Sequence, residues 1–187
     1  MWEKRCQSGE QLDIDKPVIV TQRLTLQPHT LNDVDDVFAM RSDPELTRFL
    51  GGVMNREDVR SQVLRNIGLW AAVDLGYWVA RETDTSRFVG EFGFADYHRD
   101  TTPSFAGIPE VGWVAAAWAQ RKGFTSEAVE AILAWGDRQA TFDRTVCMIS
   151  KNNLPSLRVA EKFGYRQFSD VFYKGNTDLL FERLRPT

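Results

Sequence analysis

Apolar positions along the chain change their spacing in a way that marks out its elements. Val18-Ile19-Val20-Thr21 and Leu24-Thr25-Leu26 alternate and are rich in β-branched residues, which predicts one strand over 18–27. Leu31, Val34, Val37 and Phe38 then recur at helical spacing, opened by a Thr30/Asp33 pair of capping-box form and closed by Asp43-Pro44. Gly51-Gly52 interrupts a second short helical stretch. Asn55, Glu57 and Asp58 form the acidic first turn of a longer helix carrying Val59, Val63, Ile67 and Trp70. Period two follows: Leu75, Tyr77 and Val79 alternate with Gly76, Trp78 and Ala80, and a turn-like stretch over 82–86 leads into 88–97, a hairpin.

Beyond a polar loop over 99–109, Val111 to Val114 resumes as a strand. A helix from Gly123 to about Gln139 carries Ala128, Val129, Ile132, Leu133 and Trp135 on one face, and 145–149 reads as a buried strand. A helix from Pro155 to Phe163 stops at Gly164, and strands near 165–172 and 177–184 follow. The order β, helices, ββ, β-α-β-α-β-β predicts a mixed α/β domain without repeats. The division expected is a polar N-terminal extension over 1–16 and one domain over 17–187, a length usual for a single core. Trp70, Trp78, Phe92, Phe94, Trp113, Phe163 and Phe172 are expected in that core and not in a substrate cage.

Composition narrows the chemistry. Hydrophobic residues at 43% and charged residues at 26% fit a folded chain, and a net charge of -3 argues against gripping nucleic acid through phosphates while leaving room for a cationic substrate. Cys6 and Cys147 lie far apart with no CxxC spacing, so they read as reduced thiols; His29 and His98 are isolated, and no metal site is expected. The first residues lack a signal-peptide core and no apolar run reaches membrane length, so a cytoplasmic protein is expected, neither exported nor embedded.

The segment from Glu110 to Ala128 is the most informative: a strand, a short turn, then a helix opening in a glycine and small polar residues. Free backbone N–H groups and the helix dipole make such a start an anion site suited to a pyrophosphate; Gly123 permits close approach, and Arg121 and Lys122 add charge. The spacing is neither a Walker A nor a dinucleotide-binding GxGxxG frame. An ordinary helix capped by a basic turn is the alternative for this stretch taken alone.

Gln120-Arg121-Lys122-Gly123-Phe124-Thr125 resembles the coenzyme-A motif of the GNAT superfamily of N-acetyltransferases, Gln/Arg-x-x-Gly-x-Gly/Ala, with Thr125 departing from the final small residue. Asn153-Leu-Pro-Ser156 followed by Glu161-Lys162-Phe163-Gly164-Tyr165 resembles the second motif of its RimJ/RimL-like branch. Thr21 to Leu26, Asp43-Pro44 and Val89-Gly90-Glu91 extend the likeness over roughly 18–184. The resemblance implies a GNAT fold: a mostly antiparallel six- to seven-stranded sheet, helices on both faces, and two central parallel strands splayed to admit coenzyme A. It implies direct transfer of an acetyl group from acetyl-CoA to a primary amine of a small molecule or peptide, by a monomer or homodimer.

A protonated amine must lose its proton before attack, and the resemblance points to Glu110 as the base; its other readings are a strand-end carboxylate or an ammonium anchor, and Glu91, Asp96 and His98 are rivals. A backbone amide from Val114, Ala115 or Ala116 is implied as the oxyanion donor. Backbone and side chains of Gln120 to Ser126 are implied to hold the pyrophosphate, with Asn153 on the pantetheine or a structural water. The family tyrosine that protonates the leaving thiolate is Ala160 here, so the acid falls to Ser156, which with Asn153 and Pro155 also makes an ordinary helix start. An acyl-CoA sensor without turnover, or a transferase of a larger acyl group such as succinyl, remains open on the same residues.

Overall fold

A computed structural model describes residues 17–139 and 142–186; the expected extension over 1–16 and Cys6 lie outside them. Its strands are β1 (Ile19–Val20), β2 (Leu24–Pro28), β3 (Tyr77–Glu82), β4 (Phe88–Ala95), β5 (Glu110–Ala115), β6 (Arg144–Ile149), β7 (Arg166–Tyr173) and β8 (Asn176–Leu184). The helices are α1 (Val34–Arg41), α2 (Pro44–Thr47), α3 (Arg56–Val73), α4 (Phe124–Arg138) and α5 (Leu154–Lys162). All eight strands form one sheet in the order β1-β2-β3-β4-β5-β6-β8-β7, antiparallel throughout except for β5 beside β6. The count exceeds the expected six or seven because the first strand is two. The Thr21 hydroxyl and the Leu24 amide bond one another across a tight turn that folds β1 back on β2.

Helix starts follow the sequence signals. Thr30 and Asp33 form a reciprocal capping box, the Asp43 side chain accepts from the Glu45 and Leu46 amides, and Asn55 accepts from Asp58. The acidic residues of this region are structural. Arg81 holds Asp33 and Asp36, Arg56 pairs with Asp35, and Asp43 is a cap, so they are not a free cation-attracting patch.

Strand alternation gives the sheet two faces. Val79, Glu91 and Val114 are cross-strand partners on one, where α1 and α3 bring Val37, Met40, Val59 and Val63; Trp78, Phe92 and Trp113 are partners on the other, where α4 brings Val129, Ile132 and Leu133. Trp70, Trp78 and Trp135 pack edge to face within the second cluster. Phe172 does not join the core: it is 59% exposed, because Val171 and Leu180 take the inward positions of β7 and β8.

Candidate active site

The two parallel strands register at a single pair, Glu110 with Val146, and diverge beyond it. The rest of β5 has β4 as its only strand partner among the described residues. The Ala116 amide donates to the Val89 carbonyl at 2.9 Å, and the register alternates from there, so the Val114 amide also turns to β4 and the Ala115 amide faces the gap. Of the three residues expected to offer an oxyanion donor, the geometry leaves Ala115.

The loop that follows opens α4 without a cap. Gly123 takes a left-handed φ of 84°, and no side chain among the described residues bonds the first amides of the helix, unlike α2, α3 and α5. The amides of Phe124, Thr125 and Ser126 therefore form an open donor cluster at the positive end of a 15-residue helix, an arrangement that suits a pyrophosphate. Phe124 is buried beneath this turn, Thr125 and Ser126 are half-buried, and Gln120, Arg121 and Lys122 are exposed around it. Gln120 turns back, its amide nitrogen donating to the Ala115 carbonyl at 3.2 Å.

Two supports of this loop escaped sequence reasoning. Glu127, in the first turn of α4, accepts from the Thr21 hydroxyl (2.7 Å), the Arg23 amide (2.8 Å) and the Arg23 Nε (2.7 Å), while another Arg23 nitrogen donates to the Lys122 carbonyl (3.1 Å). Partial burial works to raise the Glu127 pKa, and these donors outweigh it, leaving it below the usual carboxylate value. Arg87 lies 3.9 Å over the Trp118 ring, beside Lys122 at 5.0 Å, and adds a third cation to the rim. Neither link could be read locally, since the partners are some 30 to 100 residues apart.

On the α1/α3 side of the sheet lie two buried carboxylates, each already engaged. Glu110 is 7% exposed and takes a two-point contact from Arg99 at 2.6 and 3.1 Å. Burial opposes the Arg99 charge and the Glu110 carboxylate more than offsets it, so the guanidinium is held protonated. Glu91, fully buried, accepts from Arg41 at 3.1 and 2.8 Å and from Gln62 at 3.1 and 3.2 Å, with His29 Nε2 at 3.3 Å.

His29 is thus not isolated. Burial lowers its pKa against the pull of Glu91, and its Nδ1, like the neighbouring Asn66 Oδ1, has no partner among the described residues. Between the carboxylates the Tyr77 phenol lies over Gly112, in space that a β-carbon there would occupy at 1.9 Å from the hydroxyl. Burial pushes the Tyr77 phenol well above its ordinary range, so it stays protonated. Asp96 and His98, the remaining rivals, pair with each other at 3.1 Å, the His98 side chain on the loop surface.

Across the gap, the Asn153 side chain caps α5 by accepting from the Ser156 amide at 3.3 Å. The half-buried Ser156 makes no side-chain hydrogen bond among the described residues. Ala160, at the position where the family resemblance implies a tyrosine, is fully buried against the core. Cys147 is also buried, and burial raises its thiol pKa well above the ordinary value, so it is no nucleophile.

A family model described as an acetyltransferase (GNAT) domain matches residues 23–166. The chain belongs to the GNAT acetyltransferase family. It is 30% identical over 162 residues to an uncharacterized N-acetyltransferase of Bacillus subtilis (strain 168), YnaD, covering 84% of this chain and 89% of that one. A structure from Bordetella pertussis described as a GnaT-family acetyltransferase superposes with a TM-score of 0.79 at 33% identity, covering 89% of this chain and 99% of the other. The fold is also shared, at a TM-score of 0.73 and 17% identity over 90% and 98% of the two chains, with RimL, a ribosomal L7/L12 α-N-protein acetyltransferase solved with coenzyme A. This GNAT chain is accordingly an acyltransferase. No helix among its described residues is long and apolar enough to cross a membrane.

Proposed function

We propose that this enzyme moves the acetyl group of acetyl-CoA to a primary amine by direct attack in a ternary complex, within one GNAT domain over 17–187. The observation that carries the reading is the uncapped α4 start immediately after the unpaired edge of β5. One binds a pyrophosphate through the Phe124, Thr125 and Ser126 amides, with Arg121 and Lys122 at the rim; the other leaves the gap for a pantetheine arm. The RimJ/RimL-like branch is favoured by the Asn153 and Ser156 motif, and the fold neighbour named for α-N-acetylation makes a protein N-terminus one acceptor class beside polyamines and amino acids.

The amine lone pair attacks the thioester carbon, charge develops on the carbonyl oxygen opposite the Ala115 amide, and collapse breaks the C–S bond. Glu110 is proposed to receive the ammonium proton through water. Arg99 fixes both of its oxygens, so it is also proposed to hold that water and the amine in line. The attacking nitrogen gives up its second proton to solvent as the amide forms, and the thiolate takes its proton from the Ser156 hydroxyl, which recovers one from solvent.

The test is titration with acetyl-CoA followed by thiol release over a panel of amines and N-terminal peptides. Binding with thiol release, lowered about 10²-fold in Glu110→Gln and about 10-fold or more in Ser156→Ala at unchanged coenzyme affinity, is the expected result. Binding without release for any amine would instead support a non-catalytic acyl-CoA module, and release only with succinyl-CoA a larger donor.

A further inference from the structure

The α3 helix borders a cleft of about 570 Å³ lined by Gly51, Met54, Asp58, Ser61, Gln62 and Arg65. Its middle abuts the sheet where chemistry is expected, since Gln62 donates to both oxygens of Glu91 and Glu91 stands opposite Val114, next to Ala115. Charge is distributed unevenly along it. Asp58 and Arg65 are seven residues apart, hence on one helix face and separated by about 10 Å. Asp58 lies toward Met54, whose amide donates to the Arg41 carbonyl. Arg65 lies at the opposite end, 4.9 Å over the Tyr97 ring.

Two guanidiniums near Arg65 are neutralised, Arg41 by Glu91 and Arg99 by Glu110. Arg65 has no ion pair among the described residues, although Arg99 packs on the same Tyr97 ring at 4.7 Å. Two guanidiniums on one ring, with one counter-ion between them, leave a positive charge at the outer end of the cleft. The other end carries Asp58, which has no ion pair among the described residues and attracts an ammonium.

Resting on the acetyl-transfer reading above, we propose that the acceptor is an amine carrying an anionic group about 10 Å behind it, and that Arg65 is the specificity-determining residue that holds that group. The amine leads past Asp58 and Gln62 toward the thioester; the anion trails to Arg65. A free α-amino acid is too short for both ends. A peptide with an acidic third residue, whose carboxylate extends about 10 Å from the N-terminal amine, has the required reach, as does a small amine with a distal carboxylate.

Calorimetric titration of the coenzyme-A-saturated protein tests this with two matched pairs: the amide-ended peptides Ala-Ala-Glu-Ala and Ala-Ala-Gln-Ala, and 6-aminohexanoate with hexylamine. The acidic member should bind about fivefold or more tightly, with the advantage shrinking as salt rises. Arg65→Gln should bring the ratio close to one, and Arg65→Lys should keep part of it. A preference in the peptide pair identifies a protein or peptide terminus; one in the small pair identifies a metabolite amine. Equal binding within both pairs, no binding in either, or a preference that survives Arg65→Gln overturns the proposal. If coenzyme A itself does not bind, the transfer reading fails first, and that titration is read before any acceptor is added.

Discussion

Replacing Glu127 by glutamine isolates the staple that fixes the coenzyme loop. Three donors converge on this carboxylate from Thr21 and Arg23, and the same Arg23 side chain reaches the Lys122 carbonyl. Glutamine keeps one acceptor oxygen and loses the charge. With hydrogen bonds to charged groups contributing about 1.5–3 kcal/mol and neutral ones about half that, the net loss is about 2 kcal/mol. At 187 residues that corresponds to a melting temperature lower by about 4–8 °C. The pH dependence adds a second, independent reading. Because the folded pKa of Glu127 lies below its unfolded value, the charge-dependent stabilisation is fully present above the unfolded pKa of about 4.3 and is lost as pH falls through the folded one. Thermal melts of wild type and Glu127→Gln should therefore differ fully at pH 7 and pH 6 and converge as pH falls through the lowered folded pKa. Equal melting temperatures at pH 7, or a gap that persists undiminished at pH 3, would refute the assignment of the staple. Acetyl-CoA affinity should fall in parallel, since the open amides of α4 lose their backing.

Two further substitutions probe the same site by different physics. Gly123→Ala forces a β-carbon into a left-handed conformation and to 3.2 Å from Arg23, so it should cost about 1–2 kcal/mol and weaken acetyl-CoA binding, measured by melting and titration. Ala160→Tyr introduces the tyrosine implied by the family resemblance but places it where the side chain is fully enclosed; overpacking should cost about 1–3 kcal/mol, and turnover should not rise. A more active Ala160→Tyr enzyme of unchanged stability would show that the position opens onto the thiolate.

What could be read from the sequence was local. The capping box at Thr30, the Asn55 cap, the helix after Gly123 and the strand at Glu110 announce themselves within a few residues, because caps, turns and alternation act over that range. The fold class followed from their order. The extra strand was missed because a Thr21 side-chain bond, not a glycine or proline, makes the turn. Phe172 was misjudged because hydrophobicity does not say which face of a sheet-edge strand meets solvent. Most of the site's electrostatics was invisible: Glu91 meets Arg41, Gln62 and His29 across 50, 29 and 62 residues of chain, and Glu110 meets an arginine on a loop with no periodic signal. Sequence motifs singled out the loop that opens α4. Only the fold could say that both candidate carboxylates are already paired.

The single rung between β5 and β6 also sets how the molecule holds together mechanically. Between β5 and β6 the sheet has one registered pair, and the two halves are otherwise joined by the packing of α4 and α5 and by the loop over 99–109, where Thr102 bridges to Phe172 and Phe105 packs on Val146 and Leu180, so the sheet has a seam where another sheet has a full ladder. A molecule lodged in that seam bridges both halves and stabilises them jointly, by an amount that grows with RT ln(1 + [L]/Kd). Occupancy of the cleft and rigidity of the whole sheet are therefore one variable: the chain with its cleft filled is a stiffer body than the same chain with it empty.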